Sequence, residues 1–378
     1  MRPLYLDYNA TTPVDEEVCQ AMLPYFTRHF GNPSSSHLLG KAALAAVEDA
    51  RTRVADLLGA ERDEIVFTAG GTESNNLAIL GTMLLTPASP RRHLVVSALE
   101  HPAVLEPARR LETLGCSVTI VPCTPEGLVD PAAVEAAISV DTALVSIMHA
   151  NNEVGTIQSI REIAAVCRRH GVPLHTDAAQ SAGKISTLVD QLQVDLLTIA
   201  GHKLYAPKGI GALYVRGGTA LDPVLFGAGH ERGLRPGTEN VPYIVGLGKA
   251  AEIARQLQPA AAERQAGLRD RLQALLLGAI DDLIIHGETA PRLPNTLCVS
   301  FPEIEGRELL ARVPELCAST GSACHSAAPH AAGTLAAMGV PMPIARGAVR
   351  LSLGRPTTRE EVDRAAELLI GAWESLTV

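Results

Sequence analysis

The strongest constraint on the fold is an alternation: short runs rich in β-branched residues recur between amphipathic helical stretches. That order builds strand–helix–strand units, which assemble into a largely parallel sheet covered by helices, an α/β fold. Strands are predicted at 64–68, 93–97, 118–121, 143–148, 172–175 and 194–199. A helix is predicted over 41–58, where Leu44, Val47, Val54, Leu57 and Leu58 form one apolar stripe. Another covers 159–170 and stops at Gly171. Residues 209–216 follow a glycine turn and read as an antiparallel edge strand.

Past about residue 256 the texture changes. A long helix over 260–277 precedes strands at 296–300 and 348–353 and a closing helix at 358–376, the order of a smaller α+β unit. A chain of 378 residues is long enough for two packed domains. The predicted division is a large domain over 15–256, with residues 1–14 joining 257–378 in the small one.

Composition removes several functions. No apolar run reaches the roughly 20 residues that span a bilayer. The opening Met1–Asp7 stretch lacks the apolar segment of a secretion signal. A cytoplasmic protein with no membrane association is expected. Net charge is −9, with acids and bases interspersed, which argues against a nucleic-acid partner. The seven cysteines form no C-x-x-C pair and no metal-finger spacing, so no metal site and reduced thiols are expected. Six of them lie in apolar or helical patterns and are predicted to be buried structural thiols. Cys324 differs. It lies in a glycine- and serine-rich segment, Thr320–Ser326, that reads as a mobile loop. A nucleophilic thiol needs such access, and His325 beside it is a possible source of positive charge, although adjacent side chains often point apart.

Three further segments carry chemistry. In Phe67–Asn76 a strand ends, two glycines turn the chain and a helix begins near Thr72. Glycines let the backbone approach an anion, and the first helical N–H groups point toward it. The same residues also suit a plain helix start capped by Thr72. Asp177 follows a strand, where open α/β sheets place their ligands. It would serve either as a helix cap or as the partner of a protonated pyridine nitrogen. Lys203 ends the next strand in a glycine-flanked turn, placed for a surface charge or for a Schiff base. Together they divide the labour of holding pyridoxal phosphate: one site for phosphate, one for the ring nitrogen, one for the covalent link.

The chain resembles fold-type-I pyridoxal-phosphate enzymes of the class-V aminotransferase family, and within it the group I cysteine desulfurases of the NifS/IscS type. The likeness covers nearly the whole chain. Its markers include Tyr5–Pro13, Gly31–Ser35, Glu100-His101, Met148–Glu153, Gly201-His202-Lys203, Gly229–Arg232, Gly237–Asn240 and Ser319–Cys324. The resemblance implies that Gly71, Thr72 and His202 hold the phosphate. His101 stacks on the ring and is a candidate proton carrier. Asn152 and Gln180 approach the phenolic oxygen, with Asn152 also near the substrate, and Asp177 meets the ring nitrogen. Thr238 reaches the phosphate of a neighbouring subunit, which implies a homodimer. Arg350 grips the substrate carboxylate, as a guanidinium fork does well.

The implied reaction converts L-cysteine to L-alanine. Lys203 acts as base, and Cys324 takes the sulfur as a persulfide for a sulfur-acceptor protein, such as an iron–sulfur cluster scaffold. Selenocysteine lyases share this fold, and some carry the Ala-Cys-His-Ser run of 323–326, so L-selenocysteine is the rival substrate. A non-catalytic scaffolding paralogue is a remote alternative, because Lys203 and Cys324 are both present. Two departures stand out. Ala200 occupies a position that is often a phosphate-binding serine, and 327–333 differs from the usual run after the cysteine. The chain also ends soon after its last predicted helix, where some relatives extend to dock a scaffold.

Overall fold

The computed structural model describes residues 3–84, 91–320 and 333–377. Among these residues there are twelve strands: β1 (Leu4–Tyr5), β2 (Ile65–Thr68), β3 (His93–Ser97), β4 (Ser117–Val121), β5 (Thr142–Ser146), β6 (Leu174–Asp177), β7 (Leu196–Ala200), β8 (Gly211–Val215), β9 (Ile284–Ile285), β10 (Thr296–Ser300), β11 (Leu316–Cys317) and β12 (Ala348–Ser352). Seven form the central sheet, in the order β2-β8-β7-β6-β5-β3-β4. From β4 to β7 all neighbours are parallel, and β8 runs antiparallel to both β7 and β2. The predicted antiparallel strand therefore exists but is interior. Its backbone is paired on both sides, and β2 takes the edge.

Both faces of the sheet are covered, which explains why its strands read as continuous apolar runs rather than alternating ones. Phe67, Val145 and Leu197 face one cluster with Val47, Ile163 and Leu247. Val66, Leu144 and Leu196 face the other, with Leu77, Leu94 and Val104. The helix predicted from residue 41 runs over Leu38–Leu58, opened by His37 and closed by Gly59 in the left-handed region at φ 63°. Its buried stripe is Ala43, Val47, Ala50, Val54, Leu57 and Leu58. Leu44 is 43 % exposed and does not belong to it. Sequence periodicity placed it on a face that this chain leaves open to solvent.

The helix predicted from residue 260 belongs to one continuous helix, Val241–Leu277, with Pro259 inside it. A proline removes one intrahelical hydrogen bond. Packing along both halves overrides that loss: Leu247 and Ala251 join the large core, while Leu272 and Leu276 join a second cluster. Gly248 permits the first contact, since a Cβ there would fall 2.6 Å from the Cα of Ala50. The second cluster gathers Leu4, Leu6, Leu272, Leu297, Val349 and Leu369. Here β9, β10 and β12 form an antiparallel sheet, β1 pairs with β11, and Asp7 bridges to Ser352. The amino-terminal segment is thus held against the last third of the chain.

Of the cysteines predicted to be buried, Cys116, Cys167 and Cys298 are buried, and Cys123 and Cys317 are partly so. Cys19 is exposed. Its helix, Glu16–Met22, buries Val18 and Met22 and turns Cys19 outward. Among the described residues no helix is long and apolar enough to cross a membrane.

One buried ion pair fastens the edge strand. The Arg51 guanidinium donates through Nη1 and Nη2 to both Glu231 oxygens at 2.7 and 2.8 Å, and through Nη1 to the Ile65 carbonyl. Glu231 in turn accepts from the Phe67 amide. The two side chains are 8 % and 2 % exposed. Replacing Arg51 by Met strands a carboxylate in the core, which costs about 3–5 kcal/mol. Urea unfolding of Arg51→Met is expected to show that loss; a change below about 1 kcal/mol would show that the pair is dispensable.

Candidate active site

Because β2 and β3–β7 all run the same way, their carboxyl ends share one edge of the sheet. The segments leaving those ends supply the predicted residues. Gly71 and Thr72 follow β2, His101 follows β3, Asn152 follows β5, Asp177 and Gln180 end and follow β6, and His202 and Lys203 follow β7. With Arg350 from β12 and Asn9 and Ala10 from the amino-terminal segment, they line one cavity of about 430 Å³. That volume suits a small-molecule cofactor with its substrate.

Lys203 has the most informative environment. Its amine donates to the carbonyl oxygens of Asn9 and Ala10, at 2.5 and 2.7 Å, and makes no ion pair among the described residues. Burial lowers its pKa to about 8, helped by Arg350 and opposed by Asp7 and Asp177. His202 beside it is held down to about 4 by burial and by Lys203, so its ring is neutral near pH 7, with Nδ1 against the Thr11 hydroxyl at 3.2 Å. His101 caps the helix Pro102–Thr113. Its Nδ1 accepts from the Ala103 amide at 3.1 Å, which leaves the neutral ring's proton on Nε2. The residue is partly open to solvent; burial of its ring, with Lys203 nearby, lowers its pKa against the pull of Asp177.

Asp177 is buried, and its carboxylate accepts from Asn75 Nδ2 at 2.7 Å and from the Ala179 amide at 2.9 Å. It meets no cation at ion-pair distance among the described residues. The helix Gly71–Met83 is capped by Gly70, at φ 147°, and not by Thr72, which lies inside the first turn. No side chain caps that helix, so its first amides remain available for an anion. Gly71 lies close to Ala200: a Cβ at 71 would approach the Ala200 methyl to 3.2 Å. The alanine adds apolar surface where a serine would add a hydroxyl, which leaves Thr72 and the amides as donors on that side.

Arg350 donates through Nη2 to Asp7 at 2.7 Å and through Nη1 to the Asn152 carbonyl at 2.9 Å, while its buried Nε has no partner among the described residues. Its backbone pairs with Ser319, two residues before residue 321. Cys324 and His325 lie outside the described residues. Thr238 is exposed, ahead of the helix Val241–Leu277, and does not line the cavity.

Sequence reasoning missed Asn9, Asp7, Asn75 and Lys184. Asn9 is 1 % exposed, and all its polar groups are engaged. Its amide donates to Ser352 and its carbonyl takes Lys203 and Gln180; its side chain bonds Asn152, Thr296, Lys184 and Asn295. The only sequence signal was its place within the Tyr5–Pro13 motif.

These features fit pyridoxal phosphate. Asp177 would meet the ring nitrogen as a buried carboxylate with no competing cation. The turn at Gly70 and Gly71 would receive the phosphate, and Lys203 would supply an amine that loses its proton far more readily than an ordinary lysine. The rate at which cofactor-free protein takes up pyridoxal phosphate is therefore expected to climb with pH, pass its midpoint near 8 and then level off. A free alkylamine continues to gain up to about 10.5. A profile that kept rising past pH 10 would contradict this environment for Lys203.

Comparison with known proteins follows the same lines. The family model described as aminotransferase class-V matches residues 4–365. A protein named cysteine desulfurase from Trichormus azollae is 46 % identical over 371 residues, covering 98 % of this chain and 92 % of its own. The structure of a NifS-like protein superposes with a TM-score of 0.90 at 39 % identity, covering 99 % of both chains. The structure of SspA in complex with cysteine gives a TM-score of 0.82 at 38 % identity, over 94 % of this chain and 99 % of that one. A match of this extent, over a cavity built for a pyridoxal cofactor, places the chain in the class-V aminotransferase family.

Proposed function

We propose that this protein is a pyridoxal-phosphate-dependent cysteine desulfurase that converts L-cysteine to L-alanine and passes the sulfur to Cys324. The observation that carries the proposal is one cavity holding an amine kept near pKa 8, a buried carboxylate without a cation, and an arginine fork. A relative named cysteine desulfurase and a neighbour solved with cysteine support that substrate.

When bound, the cofactor supplies an electron sink that makes the Cα proton of an amino acid acidic. The chain supplies the rest. Arg350 binds the substrate carboxylate and fixes the face presented to Lys203. Lys203 holds the cofactor and then, as a free amine, takes the Cα proton. Asp177 would keep the ring nitrogen protonated. Gly71, Thr72 and His202 would hold the phosphate, Asn152 and Gln180 would donate to the phenolic oxygen, and His101 would pack against the ring with its Nε2 proton available. Breaking the Cβ–S bond requires a nucleophile for the sulfur, and the Cys324 thiolate takes it as a persulfide while Cβ gains a proton. A sulfur-acceptor protein then receives that sulfur in the cytoplasm. We assign 15–256 to the cofactor-holding domain and 1–14 with 257–378 to the smaller one. The packing of Leu4 and Leu6 with Leu272 and Val349 supports this division.

The test uses the wild type and Cys324→Ala. The wild type is expected to release alanine from L-cysteine faster than from L-selenocysteine. The variant is expected to retain cofactor but to lose alanine release from L-cysteine by about a thousandfold or more, as for removal of other covalent nucleophiles. Full turnover of cysteine by the variant would refute the sulfur transfer. A wild type that turned over only selenocysteine would favour the lyase.

A homodimer completes the proposal, with Thr238 reaching the neighbour's phosphate site. Thr238 lies on the surface outside its own cavity, and the surface also exposes Phe26, Phe30 and Phe226, the last at 88 %. Mixed dimers of Lys203→Ala and Thr238→Ala subunits would then contain one site free of both lesions. They are expected to bind cofactor better than either parent. Hybrids no better than the parents would exclude sharing across the interface.

A further inference from the structure

Lys184 touches the cavity's machinery without lining the cavity. After β6 the chain makes a helical turn: the amides of Ser181 and Ala182 bond to the Ala178 carbonyl, and those of Lys184 and Ile185 to the Ser181 carbonyl. Gln180 and Lys184, four residues apart, therefore meet on one face. Gly183 allows the turn to press inward. It has φ +74°, and a Cβ there would fall 2.2 Å from Leu204 Cδ1, directly behind Lys203. The Lys184 amine donates to Gln180 Oε1 at 2.8 Å and to Asn9 Oδ1 at 3.1 Å, two neutral oxygens.

An amide end has an accepting side and a donating side, and its orientation decides what a bound molecule meets. With Oε1 turned to Lys184, Gln180 Nε2 points the other way. One of its N–H groups goes to the Asn9 carbonyl at 3.0 Å, and the other remains for the cavity. The same Asn9 carbonyl supports the Lys203 amine. We propose that Lys184 is a positioning residue that fixes the sense of the Gln180 amide, so that an N–H and not an oxygen faces the cofactor's phenolic oxygen. This rests on the cofactor reading above. Burial, with Lys203 and Arg350 adding to it, pulls Lys184 well below the ordinary lysine range. An uncharged amine still donates both hydrogen bonds, so the device works in either protonation state.

A donor at the phenolic oxygen stabilises its anion and so lowers the pKa of the cofactor–Lys203 link. The charged and titratable groups around that link are Asp7, His101, Asp177, Lys184, His202 and Arg350. Without Lys184 the fixed N–H is lost, and that loss moves the link's pKa upward.

The experiment titrates the visible absorbance of the holoenzyme in the wild type, Lys184→Met and Lys184→Arg, each also in a Gln180→Leu background. Lys184→Met is expected to raise the spectral midpoint by about one pH unit, and Lys184→Arg to restore it. If Lys184 acts through Gln180, most of the Lys184→Met shift disappears in the Gln180→Leu background. An unmoved midpoint in Lys184→Met, or the same shift in both backgrounds, overturns the proposal. Should Lys184→Met fail to fold, Lys184→Gln replaces it. Uncharged and too short to reach both oxygens, it is expected to shift the midpoint in the same direction, and no shift overturns the proposal. A wild type with no absorbance band that borohydride fixes onto Lys203 would instead overturn the cofactor reading itself.

Discussion

The arrangement of the site depends on how one amine is held. Lys203 is largely buried, yet among the described residues it rests on two backbone carbonyls and on no carboxylate. An adjacent carboxylate would have stabilised the ammonium and raised its pKa by roughly one to three units. Carbonyl oxygens hold the amine in place and accept from it whether or not it is charged. The result is a lysine whose geometry is fixed and whose proton is easily lost. The carbonyls come from Asn9 and Ala10, nearly two hundred residues away in sequence. Closing that distance requires β1 to pair with β11 and Asp7 to bridge to Ser352.

Sheet topology does the rest of the gathering. Strands that run the same way end at the same edge, so segments far apart in sequence deliver their side chains to one place. This is why the site's principal residues were legible in the sequence. Glycines after β2, an aspartate at the end of β6 and a lysine after β7 each carry a strand-end signal, and a parallel sheet turns three such signals into one cavity. The alternation of short apolar strands and helices was readable for the same reason, because buried parallel strands must be apolar on both faces.

What the sequence hid was set by contacts between distant segments. Pairing on both sides of β8 depends on β2 folding back beside it, which local periodicity does not report. The continuous helix Val241–Leu277 survives Pro259 because each of its two halves packs into a cluster of its own. Leu44 and Cys19 lie on faces that look apolar in sequence, yet they are exposed. Asn9 and Lys184 were invisible for a subtler reason. Each is a polar residue whose value lies in which side of an amide or carbonyl it fixes, and composition carries no record of orientation.

Arg350 extends this logic to the substrate. Its fork is already occupied by Asp7 and by the Asn152 carbonyl, while its buried Nε has no partner among the described residues. An unpartnered buried donor costs about 1–3 kcal/mol, so the free site carries a cost that an added acceptor relieves. Asp7 also offsets the arginine's charge, which otherwise depresses Lys203 further. A carboxylate arriving at Arg350 adds negative charge near Lys203 and raises its affinity for a proton. In the proposed reaction, binding the substrate carboxylate therefore makes Lys203 a stronger base at the stage when it must remove the Cα proton. The arginine then contributes to the chemistry as well as to recognition, through a coupling that Asp7 keeps moderate in the empty site.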